Sequence, residues 1–254
     1  SRGGTFTLTS TGTLQATSGV AFDDASSGAA GSADSTLDVS GTLGGDAVMG
    51  TGADTIALRA GATLASGALL DGDAGAASFV TGQIDTLDFA GWSGFIAGTQ
   101  VANQEQVLLT GSADVTFTGP GLTNANMADG LTFQTGAGAL ARFVSGFSIS
   151  GDMTNLGALD LSTRNGTADT TLSIGGDFTG GGQFVIDVDF AANLADQLLV
   201  GGNVSGTTFV VVNDVSTGLA SGSNVVFATV GGTTAAGDFQ LASGPISAGA
   251  YNYD

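Results

Sequence analysis

The chain lacks cysteine, histidine and lysine, and it has only two prolines among 254 residues. Without cysteine or histidine there is no disulfide, no thiolate and no imidazole, which excludes a Ser-His-Asp protease and a histidine-based metal centre. With no lysine to neutralise phosphates, the chain is a poor partner for nucleic acid and for an anionic membrane surface. No apolar run approaches the ~18 residues of a membrane helix, so we expect no membrane insertion of this segment.

What the chain does contain is acid, glycine and apolar residues. It has 23 acidic residues and a net charge of −19, and Glu105 is the one glutamate among them. Aspartate and glycine favour tight turns, and the chain holds 44 glycines. Hydrophobic residues make up 42 % of the chain, which is enough to bury a core. The composition therefore indicates a folded, turn-rich, acidic protein.

Short segments that alternate apolar and polar residues recur along the chain, as expected of half-buried strands. They are FTL at Phe6, LDV at Leu37, IAL at Ile56, LDF at Leu87, VTF at Val115, LTF at Leu131, FSI at Phe147, LDL at Leu159, LSI at Leu172 and FVIDV at Phe184. An antiparallel sandwich and a parallel β-helix both fit this pattern. The hairpin signal Asn-Gly occurs once, at Asn165-Gly166, which favours the β-helix.

We therefore predict an all-β fold, a right-handed parallel β-helix (a solenoid) with a C-terminal β-rich capping subdomain. Coils of ~20–25 residues would give ~10–12 coils. Beyond Gly175 the predicted strands lengthen, as in QFVIDVDF and TTFVVVND. This divides the chain into β-helix coils over 1–174 and a capping part over 175–254 that continues the same rod. The capping part, with the longest apolar strands, is expected to be the most stable.

The C-terminal tail resembles the end of autotransporter passengers of the pertactin-like kind. The resemblance lies in an Asp-x-Leu-x-Val strand, a glycine, a β-branched strand that ends in Asn, two further strands and a closing Gly-Ala-Tyr-x-Tyr. The matching positions are Asp196–Val200, Gly206, Phe209–Asn213, Val225–Val230, Phe239–Leu241 and Gly249–Tyr253. It implies that this region caps the β-helix, assists its folding during secretion and precedes an outer-membrane β-barrel translocator that is not in this chain. The chain would then end where the passenger ends.

A weaker resemblance lies upstream. The segment Gly82–Gly111 is similar to the Asp-Thr-Leu … Glu-x-Val units of large bacterial surface β-helices, as is GTGADTIAL at Gly50. Together the two resemblances imply an extracellular location at the bacterial cell surface, associated with the outer membrane. They do not identify an activity.

Calcium is the one cofactor that the acidic turns suggest. Residues Gly52–Ile56 match G-x-D-x-U, a fragment of the calcium-binding nonapeptide of stacked β-rolls. That mechanism needs tandem copies nine residues apart, and this chain has none. Leu70–Ser78 carries Asp71 and Asp73 on one turn without a following partner. We therefore assign no metal-ligating residue and expect solvated aspartates at the corners.

Glycoside hydrolysis needs two carboxylates about 5–10 Å apart. Asp85 with Asp88 and Asp187 with Asp189 are candidate pairs, but the second pair also fits a solvated outer row of one strand. We assign no catalytic residue and predict that the chain is not an enzyme.

A polysaccharide lyase on the same scaffold needs a basic residue beside the substrate. Arg59, Arg142 and Arg164 are the only candidates within the coils, and they lie far apart in sequence.

Aromatic residues can act as platforms for sugars. Trp92 lies in FAGWSGF with Phe89 and Phe95 three positions away on either side, a spacing that does not share a strand face and favours a core or corner position. Tyr251 and Tyr253 share one strand face and are expected to cap the last coil.

The sequence thus predicts a non-enzymatic passenger acting in adhesion or structural surface display. Host, cell-surface or self contacts are its possible partners, besides its own translocator. The alternatives are a self-assembling extracellular filament or surface-layer element, and a carbohydrate-active β-helix enzyme.

Overall fold

The computed structural model describes residues 6–24, 34–73, 82–123, 129–162 and 166–254. The first five coils of the chain contain fifteen strands. These are β1 (Phe6–Ser10), β2 (Thr13–Leu14), β3 (Val20–Asp23), β4 (Ser35–Val39), β5 (Thr42–Leu43), β6 (Asp46–Val48), β7 (Thr55–Arg59), β8 (Thr63–Leu64), β9 (Leu70–Asp71), β10 (Thr86–Ala90), β11 (Ser93–Ala97), β12 (Val101–Ala102), β13 (Gln106–Thr110), β14 (Asp114–Thr118) and β15 (Gly121–Leu122). One 3-10 turn, Gly98–Gln100, precedes β12.

The remaining coils and the C-terminal end contain sixteen strands. These are β16 (Thr132–Thr135), β17 (Leu140–Phe143), β18 (Phe147–Ile149), β19 (Asp152–Asn155), β20 (Ala158–Asp160), β21 (Thr171–Ile174), β22 (Phe178–Thr179), β23 (Gln183–Asp189), β24 (Leu194–Ala195), β25 (Gln197–Val200), β26 (Val204–Ser205), β27 (Thr208–Asp214), β28 (Ala228–Val230), β29 (Phe239–Leu241), β30 (Ile246–Ala248) and β31 (Tyr251–Tyr253). Among the described residues no helix is long and apolar enough to cross a bilayer.

Strands of successive coils pair in parallel, three apart in the chain up to β23 and two to four apart beyond it, so the coils build a three-faced parallel β-helix. The first face is one sheet of nine strands, β1-β4-β7-β10-β13-β16-β19-β22-β26. The second face consists of β2-β5-β8 followed by a sheet that runs from β11 to β29, and the third of the sheet of β3, β6, β9 and β12 followed by β15-β18-β21-β25-β28. The predicted β-helix is confirmed, and the sandwich is not formed. The antiparallel pairs within the described residues are β23 with β24 and β30 with β31.

The core is a column of side chains that point inward from the three faces. On the first face the register stacks one apolar residue per coil, a series that we call the inward ladder: Leu8, Leu37, Ile56, Leu87, Val107, Phe133, Met153, Phe178 and Val204. From Leu37 to Phe178 these side chains are almost fully buried. Alternation at a period of two, with outward Thr, Asp and Gln, is what the sequence triplets predict.

The described part of the first face holds nine coils, fewer than the predicted ten to twelve. Equivalent corner residues lie 19, 31 and 20 positions apart in successive coils, so some coils are longer than expected. The end of the chain also does not form another full coil. There, β29 joins the second face, and β30 and β31 form a separate hairpin.

Candidate functional site

The corner that precedes the first face carries a buried row of acids in the N-terminal coils. We call Asp54, Asp85 and Glu105 the acid ladder; each immediately precedes a first-face strand, β7, β10 or β13. Asp54 Oδ1 accepts the backbone N–H of Ser35 at 2.6 Å, Asp85 Oδ1 accepts that of Asp54 at 2.8 Å, and Glu105 Oε2 accepts that of Asp85 at 2.7 Å. Each of these three carboxylates thus caps the corner of the preceding coil.

Burial makes the acid ladder hard to ionise. Asp54 and Asp85 are 1 % and 2 % exposed, and Asp54 Oδ2 has no hydrogen-bond partner within the described chain. Burial, together with the charges of Glu105 and Asp54, raises the pKa of Asp85 to about 9. Burial likewise raises the pKa of Asp54 to about 6 and raises that of Glu105. The surrounding groups are also acidic, namely Asp24, Asp34, Asp73 and Asp129.

The expectation of solvated corner aspartates is therefore wrong for Asp54, Asp73 and Asp85, which are buried. The physical reason is the coil-to-coil capping, because backbone N–H groups at a buried corner need an acceptor. Across the described ranges, no three acidic side chains form a group that could hold a metal ion. Calcium binding by Gly52–Ile56 stays a prediction, and most of Leu70–Ser78 lies outside the described residues.

The two candidate carboxylate pairs are engaged in backbone and side-chain contacts. Asp85 lies at the buried corner, whereas Asp88 lies on the outer side of β10 and accepts the Thr110 hydroxyl at 2.8 Å. Asp187 is buried rather than solvated, and its Oδ1 accepts from Asn213 Nδ2 at 3.2 Å. Asp189, two residues later in the same strand, accepts the backbone N–H groups of Ala191 and Ala192, both at 2.9 Å, and so caps the turn after β23.

The described arginines are held in ion pairs on the outer surface. Arg59 donates to both carboxylate oxygens of Asp38, at 3.0 and 2.9 Å. Arg142 bridges Asp114 and Asp160, with Nη1 2.8 Å from Asp160 Oδ2. Because the two arginines belong to different faces and coils, the structure does not bring them together. Arg164 lies outside the described residues.

The resemblance residue Asp196 has a structural position that the sequence did not reveal. Its side chain is fully buried, where Oδ1 accepts the backbone N–H of Thr170 and Oδ2 that of Asp187, both at 2.8 Å. Burial raises the pKa of Asp196 to about 6. One carboxyl group therefore joins the segment before β21 to the long strand β23.

A second corner row, in the C-terminal coils, was missed from the sequence. We call Asp152, Asp177, Asn203 and Thr233 the glycine-corner ladder. One glycine precedes Asp152, and two glycines precede each of the other three. Asp152 Oδ1 accepts the N–H of Asp177 at 2.8 Å, Asp177 Oδ1 that of Asn203 at 2.7 Å, and Asn203 Oδ1 that of Thr233 at 3.0 Å. The recurring triplets GGD, GGN and GGT, 26 and 30 residues apart, were the signal that could have found it.

Glycine is required at these corners because the neighbouring coil lies where a side chain would start. A Cβ on Gly176 would overlap Asp152 Oδ1, and one on Gly202 would overlap Asp177 Oδ1. By register, Gly151 occupies the corner position that Glu105 holds two coils earlier. The corner is thus filled by a buried acid at one end of the rod and by glycine at the other.

The hairpin of β30 and β31 covers the C-terminal end of the core. The ring of Tyr253 packs on Phe190, with their centroids 4.5 Å apart, which fits the predicted capping role of the tyrosines. Between the hairpin and strands β23, β27 and β29 lies a cavity of about 450 Å³. Its lining is mainly apolar, and the hydroxyl of Tyr253 is buried without a partner in the described chain.

The three aromatic residues around Trp92 have separate positions. Trp92 and Phe89 are buried in the core, as predicted, and their rings stack with centroids 5.3 Å apart. Phe95 is 76 % exposed on the outer side of β11, so its predicted core or corner position is wrong. The alternation along Ser93–Ala97 turns Ile96 inward and therefore Phe95 outward.

The chain is similar in sequence to a known protein family and to two bacterial proteins. Residues 149–254, which include the glycine-corner ladder, Asp196 and the hairpin, match the family model Autochaperone Domain Type 1. The chain is 32 % identical over 270 aligned positions to the Probable autotransporter YfaL of Escherichia coli K12, covering 99 % of this chain and 19 % of that protein. It is also 36 % identical over 118 positions to the Uncharacterized protein YuaQ of the same organism, covering 43 % of this chain and 8 % of that protein.

The chain thus spans about a fifth of the length of the first relative and less than a tenth of the second. The resemblance to an autotransporter passenger, predicted from the tail, is confirmed by the family match and by the similarity along the whole chain. Residues 149–254 match the type 1 autochaperone family model, and the chain as a whole is similar to part of a probable autotransporter.

Proposed function

We propose that this chain is a passenger segment displayed at the outer surface of a bacterium, where it acts in adhesion or structural display and catalyses no reaction. We further propose that its C-terminal part, from about residue 175, forms first and caps the rod. An outer-membrane translocator outside this chain would be its partner in export. The autochaperone match over 149–254 is the observation that carries the proposal.

The strand pairing of the C-terminal part supports its role in folding. Strands β23 and β27 are seven residues long and pair over six consecutive positions, whereas many earlier second-face and third-face strands have two residues. Longer ladders bury more backbone and more apolar surface at once. The hairpin then shields the end of this block from water. The strand edges of such a block are available for backbone pairing with the strands of the earlier coils.

The positions of the acids and arginines support a role without catalysis. Asp54, Asp85 and Asp196 accept backbone N–H groups, and Arg59 and Arg142 are paired with aspartates on different faces. A catalytic acid or base needs access to a substrate, and these groups are occupied in joining coils. Changing Arg59, Arg142 and Arg164 together should therefore leave unchanged any activity detected on acidic polysaccharides.

The covered C-terminal end supports display of single rods over end-to-end assembly. Open strand edges at the ends of a solenoid can pair with another copy. Here the hairpin lies across that end, so we expect negative-stain electron microscopy to show short single rods both with calcium and with a chelator. Filaments under both conditions would favour the self-assembling alternative, and filaments only with calcium would show that the acids bind the ion.

Attachment can be tested in the full-length protein that carries this chain. Cells displaying the intact protein are compared with cells in which the segment corresponding to 6–148 is deleted and 149–254 is kept. We expect equal display, measured with an antibody against the C-terminal part, and a loss of attachment to surfaces in the deletion. Unchanged attachment per displayed molecule would contradict an adhesive role of these coils.

A further inference from the structure

We propose that the coils around Trp92 contain a binding subsite for a neutral saccharide, with Phe95 as its stacking platform. The site lies where the second face is interrupted. The first face pairs β7 with β10 and the third face pairs β9 with β12, so these two coils are in contact there. On the second face, one sheet ends at β8 and the next begins at β11, and no ladder joins them in the described residues.

Trp92 explains the interruption. Its indole Nε1–H donates to the backbone oxygen of Ala62 at 2.9 Å, and so occupies an acceptor of the preceding coil. The ring lies against Gly94, so closely that a Cβ there would overlap it. The buried indole thus bonds to the preceding coil where β8 and β11 form no backbone ladder. The amide of Gln100 bonds to the backbone of Ala97 and Ala68 and holds the following turn.

The interruption leaves a cleft that we call the Trp92 cleft. It has a volume of about 420 Å³, within the range of small-molecule sites. One wall is formed by Ala62–Gly67 and the other by Trp92–Ala97, with Gln100 and Thr118 at its edge. The cleft is therefore bounded by two strand edges from successive coils.

Phe95 gives the cleft an aromatic surface that is open to water. A phenyl ring that is 76 % exposed in the middle of a strand is unusual in a chain whose other strand phenylalanines are mostly buried. The same cleft is also lined by the hydroxyl-bearing residues Ser66, Ser93 and Thr118. An aromatic face beside several hydroxyls suits a pyranose ring, which presents C–H groups on one side and hydroxyls along its edge.

Charge selects among saccharides. The residues that line the Trp92 cleft carry no charged side chain. The chain around it has a net charge of −19 and no lysine, so a uronate or a sulfated sugar would be repelled without a cation to bind it. A neutral sugar is not repelled by the charge of the chain and needs no cation to bind. The same edges could in principle pair with an extended peptide, but a strand that paired there would not need the exposed ring.

The test is titration of the whole 254-residue chain with neutral tetrasaccharides of the cello-, manno- and N-acetylchito- series, and with tetragalacturonate as the acidic comparison. We expect at least one neutral tetrasaccharide to bind. Phe95→Ala should weaken that binding at least tenfold and Phe95→Trp should retain it. The matched control is Phe209→Ala, which removes an exposed phenylalanine from the same face outside the cleft and should change binding less than twofold.

Ser93→Arg, which puts a bulky side chain at the mouth of the cleft, gives a second route to the same loss if Phe95→Ala alters the fold. Absence of binding by every neutral tetrasaccharide, binding of tetragalacturonate alone, or equal losses in the Phe95 and Phe209 variants would each overturn the proposal. So would capture of an extended Val-Thr peptide at these edges without any saccharide binding. The subsite rests on the adhesive role proposed above, but binding in solution is read independently of cell attachment, so either can fail alone.

Discussion

The N-terminal and C-terminal coils close the same corner of the rod in opposite ways. In the acid ladder, the carboxylate of each later coil accepts an N–H from the coil before it, as Asp85 does from Asp54. In the glycine-corner ladder, the side-chain oxygen of each earlier coil accepts an N–H from the coil after it, as Asp152 does from Asp177. The first arrangement buries acids, and the second keeps them at the surface over a glycine backbone.

The difference has a consequence for stability and for the order of folding. Burial raises the pKa of Asp54 and Asp85, so their corners lose stability as the pH rises through those values. The side chains of the glycine-corner ladder lie at the surface and do not carry this cost of burial. This agrees with the placement of the autochaperone family within 149–254.

The largest effect is expected from the inward ladder, where both regions offer the same side chain. Phe133 and Phe178 are both fully buried on the first face, the first in β16 and the second in β22. Replacement of either by Ala should lower the free energy of unfolding by about 3–5 kcal/mol. Only Phe178→Ala should slow refolding markedly, as measured by stopped-flow fluorescence. Equal refolding rates in the two variants would contradict the inference that the C-terminal coils form before the N-terminal coils.

The second largest effect on stability is expected from a change in the glycine-corner ladder. Gly202→Ala places a methyl group against Asp177 Oδ1 and the backbone of Gly176, so the free energy of unfolding should fall by about 1–3 kcal/mol or more. Gly146→Ala is the matched control, because a Cβ at Gly146 meets no atom within 4 Å. Urea unfolding measures both. A tolerated Gly202→Ala would mean that the corner can open without cost.

The acid ladder should make stability depend on pH. Because the folded-state pKa values of Asp54 and Asp85 are raised above the unfolded value of 3.8, their contribution is complete below that pH. It is lost as pH rises through about 6 and then about 9. Asp85→Asn should therefore gain at least about 2 kcal/mol over the parent chain at pH 10 and little at pH 4.

Asp34→Asn is the control for this pH effect, since it removes one charge from an exposed residue whose carboxylate acts on Asp54 from outside the ladder. Its thermal unfolding should follow the parent chain far more closely at every pH. If Asp34→Asn and Asp85→Asn gave equal gains at pH 10, the effect would come from net charge rather than from burial.

The smallest effect is expected at Asp177. Asn keeps the oxygen that accepts the Asn203 N–H, whereas Ala removes it, so Asp177→Ala should cost about 1 kcal/mol and Asp177→Asn less than half of that. Thermal unfolding of the parent chain and both variants measures the difference, and equal losses in Asp177→Ala and Asp177→Asn would show that the Asn203 N–H does not depend on this acceptor.

The sequence predicted those parts of the molecule that depend on local pattern. The triplets at Leu37 and Leu87 lie in β4 and β10, and the period of two correctly separates inward from outward residues. The tail motif likewise predicted the autotransporter resemblance. These features repeat within a few residues, so that one sequence is enough to recognise them.

The remainder depends on which residues meet between coils. Asp54 and Asp85 are 31 residues apart, a distance that varies from coil to coil, so nothing in the sequence marked their carboxyl groups as buried partners. The Trp92 cleft was missed for the same reason, because the indole bonds to Ala62, 30 residues earlier. The three-residue spacing around Trp92 predicted a core or corner position for Phe95, although the strand register turns it outward.

The central claim, that the C-terminal coils form before the N-terminal ones, is tested most directly by pulse-labelling hydrogen exchange during refolding of the intact chain. The account predicts that amides of β23, β25 and β27 become protected first, and that those of β4, β7 and β10 follow in order towards the N-terminus. Protection of β4 and β7 before β23 and β27, or simultaneous protection of all coils, would contradict it.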